Sequence, residues 1–339
     1  MFRWGILSTA LIAREQLIPA IAASENGTLR AIASRDAARA RSVAERYGIP
    51  HAHGSYEALL ADPQIDGVYV PLPNDQHVEW AIRAVEAGKH VLVEKPLGLT
   101  ADAIAPLIAA RDRAGVEVWE GFMVTHHPQF RRVRALLAEG AIGRLSRVQA
   151  AFSFHNDDPA NTRNNTDQGG GALYDIGVYP TVATRFATGA EPSRVLCHIE
   201  RDPRFGTDRT ASVWAEFEDG RNDFRLEFYV STQLALEQRI AFHGDKGMIA
   251  LDAPFNADVF GTPTVTLHTQ DHSEAQLWRY PEAGQYRRQV ESFARVARGE
   301  ARREAKEADE AFKLESSVLN QRVIDACFRS GESGAWEEV

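Results

Sequence analysis

The sequence is poor in cysteine, since Cys197 and Cys327 are the only two in the chain. They are distant in sequence, and neither belongs to a spacing typical of zinc ligands or of a disulfide framework. This scarcity argues against a small secreted protein held together by disulfides. We therefore expect a protein of the reducing cytoplasm.

The chain also lacks an excess of positive charge and any long apolar run. Its formal net charge is -9, whereas proteins that follow a nucleic-acid backbone or an anionic membrane need a basic surface. No stretch reaches the ~18 uninterrupted apolar residues of a membrane-spanning helix, and Arg14 and Glu15 interrupt the apolar N-terminal segment. We expect a soluble protein without a signal peptide, which binds neither nucleic acid nor membranes.

Enough apolar sequence is present for more than one domain, because 44% of the 339 residues are hydrophobic. Within residues 1–122, short runs that are apolar almost throughout alternate with segments of helical periodicity. Such runs are typical of parallel strands buried on both faces. The predicted strands are Arg3–Leu7, Leu29–Ala33, Gly67–Val70 and His90–Val93. We predict a doubly wound parallel sheet, a Rossmann domain, over residues 1–122.

Residues 123–339 show a different pattern, in which apolar and polar residues alternate along longer strands. The alternation is clear over 147–155, 213–217 and 224–230, and it is typical of a sheet with one buried face. Turns are expected at 218–220 and within Phe242–Gly247, and a helix at about 305–330 is expected to pack back on the first domain. The predicted fold is α/β, with a second, α+β domain built on a large, mainly antiparallel open sheet.

The first predicted strand runs directly into a turn and a helix, where a dinucleotide-binding domain places the cofactor's pyrophosphate. Ser8, Ala10 and Ala13 stand where glycines are usual, and all three are small. An ordinary strand-turn-helix explains this turn equally well by itself. If the turn does bind the cofactor, the residues involved are Ser8, Thr9, Ala10, Leu11 and Ile12.

The end of the second predicted strand favours NADP over NAD, although NAD also remains open. Ser34 occupies the position of the acidic residue that usually binds the ribose 2′-hydroxyl. Arg35 and Arg39 are suited to clamp a 2′-phosphate instead. The alternative is that these arginines form a solvated helix face with Asp36 as the helix cap.

Two motifs carry a family resemblance: Glu94-Lys95-Pro96 at the end of the fourth predicted strand, and the glycine-rich segment Gly169–Pro180. Together with the loop Pro71–His77 and the segment Ala87–His90, they resemble the Gfo/Idh/MocA oxidoreductases. At position 179 the sequence has tyrosine, where many members have histidine. In this it resembles the branch that contains NADP-dependent D-xylose and glucose dehydrogenases and dimeric dihydrodiol dehydrogenase. The resemblance covers nearly the whole chain.

The resemblance implies a role for each motif. Glu94 is expected beside the nicotinamide ribose, Lys95 between ribose and substrate, and Pro96 after a cis peptide. Asp175 and Tyr179 are expected to face them. The loop after the strand Gly67–Val70 implies further cofactor contacts, at Leu72, Pro73, Asn74 and His77. The resemblance also implies NADP as cofactor, a sugar or polyol substrate, and a homodimer or homotetramer formed through the second-domain sheet.

Oxidation of a sugar hydroxyl requires a base for the proton, because the cofactor accepts only the hydride. We hypothesise that Tyr179 is this base, that Lys95 polarises the same oxygen, and that Asp175 fixes a substrate hydroxyl or the lysine. The roles of Lys95 and Tyr179 are interchangeable at this stage. Further candidate substrate contacts flank the motifs, at Phe122, His126, Phe154, Arg163 and Asn164.

Other functions remain open on the same sequence. Adjacent histidines at 126 and 127 point apart and lack a carboxylate pair, so we predict no metal. Oxidation of a trans-dihydrodiol, reduction of a keto-sugar and aldose–aldose transhydrogenation all suit the same scaffold. A non-enzymatic regulator that senses NADP or a sugar is the alternative of another class, and it would be expected to lose Lys95 or Tyr179.

Overall fold

The computed structural model describes residues 1–218, 223–300 and 313–339, and the chain divides into two units. The first comprises residues 1–123 and 285–318, and the second residues 124–284 and 319–339. Residues 285–318, which the sequence pattern assigned to the second domain, therefore cluster with the first. In the described part of the chain, every helix is too short or too polar to cross a bilayer.

A parallel sheet forms the centre of the first unit, as predicted. Its strands are β1 (Phe2–Leu7), β2 (Gly27–Ala33), β3 (His51–His53), β4 (Gly67–Val70), β5 (His90–Val93) and β6 (Val118–Glu120). Their order is β3-β2-β1-β4-β5-β6, and neighbouring strands run parallel throughout. The order reverses direction between β1 and β4, and doubly wound sheets generally bind their ligands at the carboxyl ends of the strands at such a point.

Helices connect and cover the strands of both units. They are α1 (Ile18–Ala22), α2 (Ala37–Tyr47), α3 (Tyr56–Leu60), α4 (His77–Glu86), α5 (Ala101–Ala114), α6 (Pro128–Ala138), α7 (Val178–Thr188), α8 (Gln285–Ala297) and α9 (Leu314–Ser333). Several begin at a capping side chain, such as Ser55 for α3 and Thr100 for α5. These caps satisfy amides that have no partner within the helix. Residues 305–312 of the predicted last helix lie outside the described residues.

Aromatic packing explains why α8 belongs to the first unit. Phe293 on α8 is fully buried, and its ring centroid lies 5.2 Å from those of both Trp4 and Trp119. Phe2 completes the cluster at 4.8 Å from Trp4. Burial of aromatic rings is strongly favourable, so α8 is held to the parallel sheet although it follows the second domain in sequence.

The second unit contains a nine-stranded, mainly antiparallel sheet, as predicted. Its strands are β7 (Leu145–His155), β8 (Arg194–Arg201), β9 (Asp208–Phe217), β10 (Phe224–Ser231), β11 (Gln233–Gly244), β12 (Gly247–Leu251), β13 (Thr264–Thr269), β14 (Ala275–Arg279) and β15 (Glu337–Glu338). The order is β14-β13-β12-β11-β7-β10-β9-β8-β15, and β7 and β10 pair in parallel.

The turns of this sheet follow the sequence pattern where they are described. The hairpin predicted at Phe242–Gly247 joins β11 to β12, with His243 opposite Met248. Residues 219 and 220 of the other predicted turn lie outside the described residues. The alternation predicted along β7 is observed only in part. Val148, Ala150 and Phe152 are buried on one face of the strand, but Ala151 and Ser153 on the other face are buried as well.

Candidate active site

The turn after β1 has the backbone conformation of a glycine without containing one. Ser8 has a φ of +141°, a region that side chains rarely adopt. Its Oγ accepts a hydrogen bond of 2.9 Å from the Ala10 amide, which offsets part of the strain. The helical segment that begins at Leu11 follows at once. The turn therefore keeps the shape of a phosphate-binding loop, but one of its amides is already engaged.

The end of β2 gathers two of the predicted cofactor residues around a tyrosine that the sequence reasoning missed. Burial raises the pKa of Tyr56, while a hydrogen bond donated by Arg35 and the positive charges of Arg35 and Arg39 lower it. Ser34 is buried and accepts from the Asp36 amide, and Asp36 in turn caps α2. Both arginines thus lie near one hydroxyl at the carboxyl end of β2.

His77 bridges two loops of the first unit. Its imidazole is fully buried, with Nδ1 2.7 Å from the Pro96 carbonyl oxygen and Nε2 2.8 Å from the Leu72 carbonyl oxygen. Burial lowers the pKa of His77, and the charge of Lys95 acts in the same direction. The side chain predicted to contact the cofactor therefore holds the loop after β4 against the Lys95-Pro96 segment. Asn74 begins a short 3₁₀ helix in the same loop, directly after Pro73.

The Glu94-Lys95-Pro96 motif follows β5, and its Lys95–Pro96 peptide is cis, as expected. Glu94 accepts hydrogen bonds from the Tyr69 hydroxyl at 2.6 Å and from the Lys95 amide at 3.2 Å. Buried Glu120 accepts from the Leu97 amide at 2.8 Å. Two carboxylates therefore fix the backbone on either side of Pro96. Tyr69 and Glu120 were not predicted as site residues, because Tyr69 lies within a strand that read only as core and the strand that ends at Glu120 was not predicted at all.

Two glycines of the second motif are required by close backbone contacts within the second unit. Gly170 and Gly171 donate to the carbonyl oxygens of Asn165 and Arg163 at 2.8 and 2.9 Å. A Cβ at Gly170 would lie 2.5 Å from the Arg163 oxygen. Gly171 has a φ of +122°, and a Cβ there would overlap the carboxylate of Asp208. The motif thus anchors the loop that carries Arg163.

Three of the predicted substrate-binding residues meet next to this loop. Arg163 Nε donates to Asp175 Oδ2 at 2.6 Å, and the Arg163 guanidinium lies 5.7 Å from the centre of the Phe154 ring. Asp175 lies in a π-helical segment, Leu173–Gly177, that leads directly into α7. An ion pair above an aromatic face offers both hydrogen-bonding groups and an apolar surface, the combination by which proteins bind small polar ligands.

Tyr179 lies about one helical turn after Asp175, at the start of α7. It is 5% exposed, and its ring centroid lies 5.6 Å from Phe152 and 5.7 Å from Phe255. The two phenylalanines stack on each other at 5.2 Å. These rings fix the orientation of the tyrosine. Phe152 was read as an ordinary core residue, and no sequence signal linked Phe255 to the motif.

The remaining predicted residues take other positions. Asn164 is buried and donates to Asn156 Oδ1 and to the Asp158 carbonyl oxygen, so it holds its own loop together. Phe122 follows β6 in the first unit, and His126 ends a short 3₁₀ helix in the second. No group of three or more metal-binding side chains occurs within residues 1–218, 223–300 and 313–339.

Comparison with known proteins covers both units. Residues 2–122 match the family model of the oxidoreductase family with an NAD-binding Rossmann fold, and residues 130–250 match that of the GFO/IDH/MocA C-terminal domain. An uncharacterized oxidoreductase from Rhizobium meliloti is 42% identical, covering 100% of this chain and 99% of that protein. D-xylose 1-dehydrogenase (NADP(+)) 2 from Haloferax volcanii is 38% identical, over 99% of each chain.

A solved structure is similar over its whole length. It is a 3-ketoreductase from Actinomadura kijaniata in complex with NADP and TDP-benzene, with 32% identity, 97% coverage of both chains and a TM-score of 0.86. The sequence matches and the shared fold agree with one another. This chain therefore belongs to the Gfo/Idh/MocA family of oxidoreductases.

Proposed function

We propose that this protein is an NADP-dependent dehydrogenase of a sugar, an aldose such as xylose or glucose, or of a related polyol. The observation that carries the proposal is the arrangement around Tyr179. Its ring is fixed by Phe152 and Phe255, and the Arg163–Asp175 ion pair lies above Phe154 about one helical turn away. A titratable hydroxyl close to paired polar groups suits a substrate with several hydroxyls.

The residues at the carboxyl ends of the parallel strands fit NADP. Arg35 and Arg39 converge near the Tyr56 hydroxyl, and Ser34 replaces the carboxylate that NAD-specific domains usually have at this position. The turn at Ser8 leads directly into a helix, whose first amides favour an anion. We assign the pyrophosphate to Ser8–Ile12, and the nicotinamide ribose to Glu94 and Lys95. The relatives named for NADP support this choice.

The reaction divides between cofactor and protein. When bound, NADP⁺ supplies the acceptor for the hydride that leaves the substrate carbon. The hydroxyl proton must then pass to the protein, and we assign it to the Tyr179 oxygen. In this proposal Lys95 acts on the same substrate oxygen and stabilises the negative charge that develops there. Asp175, held by Arg163, orients a neighbouring hydroxyl.

Reduction of a keto-sugar is the second candidate. It is the reverse of the same reaction, with Tyr179 as the acid, and it is supported by the similarity to a 3-ketoreductase crystallised with a thymidine diphosphate ligand. Sugar nucleotides carry a diphosphate, whereas free aldoses are neutral. The two candidates therefore differ in whether the substrate needs a positively charged binding group beyond the sugar.

A substrate panel tests the proposal. Purified protein is mixed with aldoses, inositols, a trans-dihydrodiol or a thymidine diphosphate keto-sugar, with NADP or NAD in the required redox state, and nicotinamide absorbance is followed. We expect turnover with an aldose and NADP⁺. Turnover only with the sugar nucleotide would select the second candidate. Binding of NADP without turnover of any substrate would contradict both and indicate the regulator.

We also propose a homodimer formed through the open face of the second-unit sheet. Trp214 on β9 is 40% exposed on this face, and the same surface includes Ser212 on β9, Glu227 and Tyr229 on the neighbouring β10, and Gln149 on β7. A large exposed aromatic side chain within a broad strand surface is typical of an interface.

A further inference from the structure

A buried carboxylate outside both motifs contacts the beginning of the helix that carries Asp175 and Tyr179. Asp208, the first residue of β9, is 1% exposed. Its Oδ2 accepts a 2.7 Å hydrogen bond from the Leu173 amide, and the Ala172 amide also donates to this carboxylate. These two amides open the helix, where backbone donors have no partner within the helix itself.

Gly171 explains why the capping carboxylate comes from a residue that is distant in the sequence. The residue before a helix usually supplies the capping oxygen from its own side chain, and Gly171 has none. Asp208 occupies the space that a side chain at 171 would need. The cap therefore depends on the fold, because β9 must pair correctly before its first residue can reach the helix.

The capped backbone is connected directly to the proposed substrate residues. The Asp175 amide donates to the Gly171 carbonyl oxygen at 3.1 Å, and the Gly171 amide donates to the Arg163 carbonyl oxygen at 2.9 Å. A displacement of Gly171 would therefore move both members of the Arg163–Asp175 pair. Tyr179 would follow, since it lies on the same continuous helix.

Two backbone amides and the charge of Arg201 stabilise the ionised form of Asp208, and burial opposes them. Burial raises the pKa of Asp208 to about 7, against the lowering effect of the two amides and of Arg201 on β8. Tyr174 on the capped helix and Cys327 on α9 also face this charge. Burial and Asp325 raise the pKa of Tyr174, Cys197 and burial raise that of Cys327, and Asp208 adds a smaller contribution to each. A buried carboxylate surrounded in this way is costly unless hydrogen bonds compensate for its loss of solvation.

We propose that Asp208 is a positioning residue for the reaction: its carboxylate fixes the helix start and thereby the placement of Asp175 and Tyr179. The inference rests on the proposed function of those two residues. The ionised form accepts both amides. The protonated form keeps only one full acceptor oxygen, so the helix start is held less firmly.

The experiment compares Asp208→Asn with Asp202→Asn. Asparagine has the shape of the protonated acid. Asp202 is a matched control, because it is a buried carboxylate in the β8–β9 connection that accepts from the Arg204 amide and the Gln233 side chain. For each protein we measure kcat and KM against pH, NADPH affinity by fluorescence titration, thermal unfolding, and amide exchange over residues 172–179.

For Asp208→Asn we expect a fall in kcat of about 10- to 100-fold, the effect of a small misplacement of reacting groups, with NADPH affinity within about twofold of wild type. The wild-type kcat should fall as the pH drops below about 7. That decrease should be absent from Asp208→Asn and present in Asp202→Asn. Amide exchange at the helix start should be faster in Asp208→Asn alone.

Each result decides the inference. A lower melting temperature with unchanged kcat and pH profile would show that the cap only stabilises the fold. Should Asp208→Asn not fold, Asp208→Ser is used, since it removes the charge and both carboxylate oxygens with a smaller side chain. A wild-type protein without activity on any substrate would refute the proposed function instead. Amide exchange would then still test the cap, and equal exchange rates in both variants would refute it.

Discussion

At the scale of single residues, the candidate site depends on side chains whose neighbours leave them little freedom. Aromatic rings hold Tyr179, an ion pair holds Asp175, and carbonyl oxygens hold His77. Fixed groups of this kind lower the entropic cost of reaching a reactive geometry. Substitutions that remove one functional atom while keeping the packing are therefore the most informative.

Replacement Tyr179→Phe should reduce kcat by about 100-fold or more, the usual contribution of a general acid or base. NADPH affinity should be unchanged, because the hydroxyl is assigned to the substrate proton. Steady-state kinetics and fluorescence titration provide the two measurements.

The matched control is Tyr229→Phe, on the open face of the second-unit sheet. Retention of most of the turnover in Tyr179→Phe would mean that the proton does not pass through this tyrosine. A severe loss in Lys95→Ala would then transfer the assignment to the lysine.

Replacement Arg35→Ala should change the choice of cofactor. A charge-assisted hydrogen bond contributes about 1.5–3 kcal/mol, so the KM for NADP⁺ should rise by roughly tenfold or more. The KM for NAD⁺ should change little, since NAD⁺ has no 2′-phosphate.

Arg41→Ala is the control, since Arg41 is exposed, as Arg35 and Arg39 are, but lies further along α2 from the end of β2. If the two variants had equal and small effects, Arg35 and Arg39 would be the solvated helix face that the sequence also allows.

At the scale of secondary-structure elements, the site is built where strands end and helices begin. Ser8, Ser34 and Glu94 each follow a parallel strand, and Asp175 and Tyr179 lie in the first turns of one helix. At such points backbone amides and carbonyl groups lack partners within the element. Buried side chains satisfy them: Glu120 for the segment after β5, and Asp208 for the helix before α7.

Replacement Gly171→Ala should destabilise the protein more than Gly189→Ala. Both glycines have positive φ, but nothing lies within 4 Å of an added Cβ at Gly189, the C-cap of α7. Gly189→Ala should therefore lower the free energy of unfolding by about 1 kcal/mol, the cost of a positive φ for a residue with a side chain.

At Gly171 the methyl group would also overlap the Asp208 carboxylate. We expect a lower melting temperature and a lower kcat for Gly171→Ala, measured by calorimetry and steady-state kinetics. Equal melting temperatures in the two variants would mean that the carboxylate moves aside at no cost.

At the scale of the whole molecule, two sheets of different kinds serve different purposes. The parallel sheet is covered by helices and places its strand ends toward a ligand, whereas the mainly antiparallel sheet leaves one face open. The open face is the surface of the second unit through which we propose self-association.

Replacement Trp214→Glu should convert the proposed dimer into a monomer, because it places a charge where two apolar surfaces would meet. Sedimentation velocity at several concentrations measures the change. Trp336→Glu is the control, since Trp336 is similarly exposed but lies beside Arg194 at the edge strand β15. A wild-type protein that sediments as a monomer at all concentrations would contradict the dimer.

The sequence was sufficient to predict the strands and motif residues that depend on a local pattern. Strands β1, β2, β4 and β5 were predicted because each is a short apolar run between helical segments, and the alternation along β7 revealed a sheet with one buried face. Lys95, Asp175 and Tyr179 were found because they stand in short contiguous motifs. Their proposed roles remain to be tested by the variants described above.

The tertiary structure decided what depends on contacts between distant parts of the chain. Phe293 packs α8 against the first unit, and Arg35 and Arg39 lie close to Tyr56. Phe255 packs against Tyr179. Asp208 caps a helix that begins 36 residues earlier in the sequence, at Ala172. Taken alone, each of these residues has the sequence context of an ordinary core or strand position. Hydrophobic burial and hydrogen bonding select such partners only when the chain is folded, so no local pattern records them.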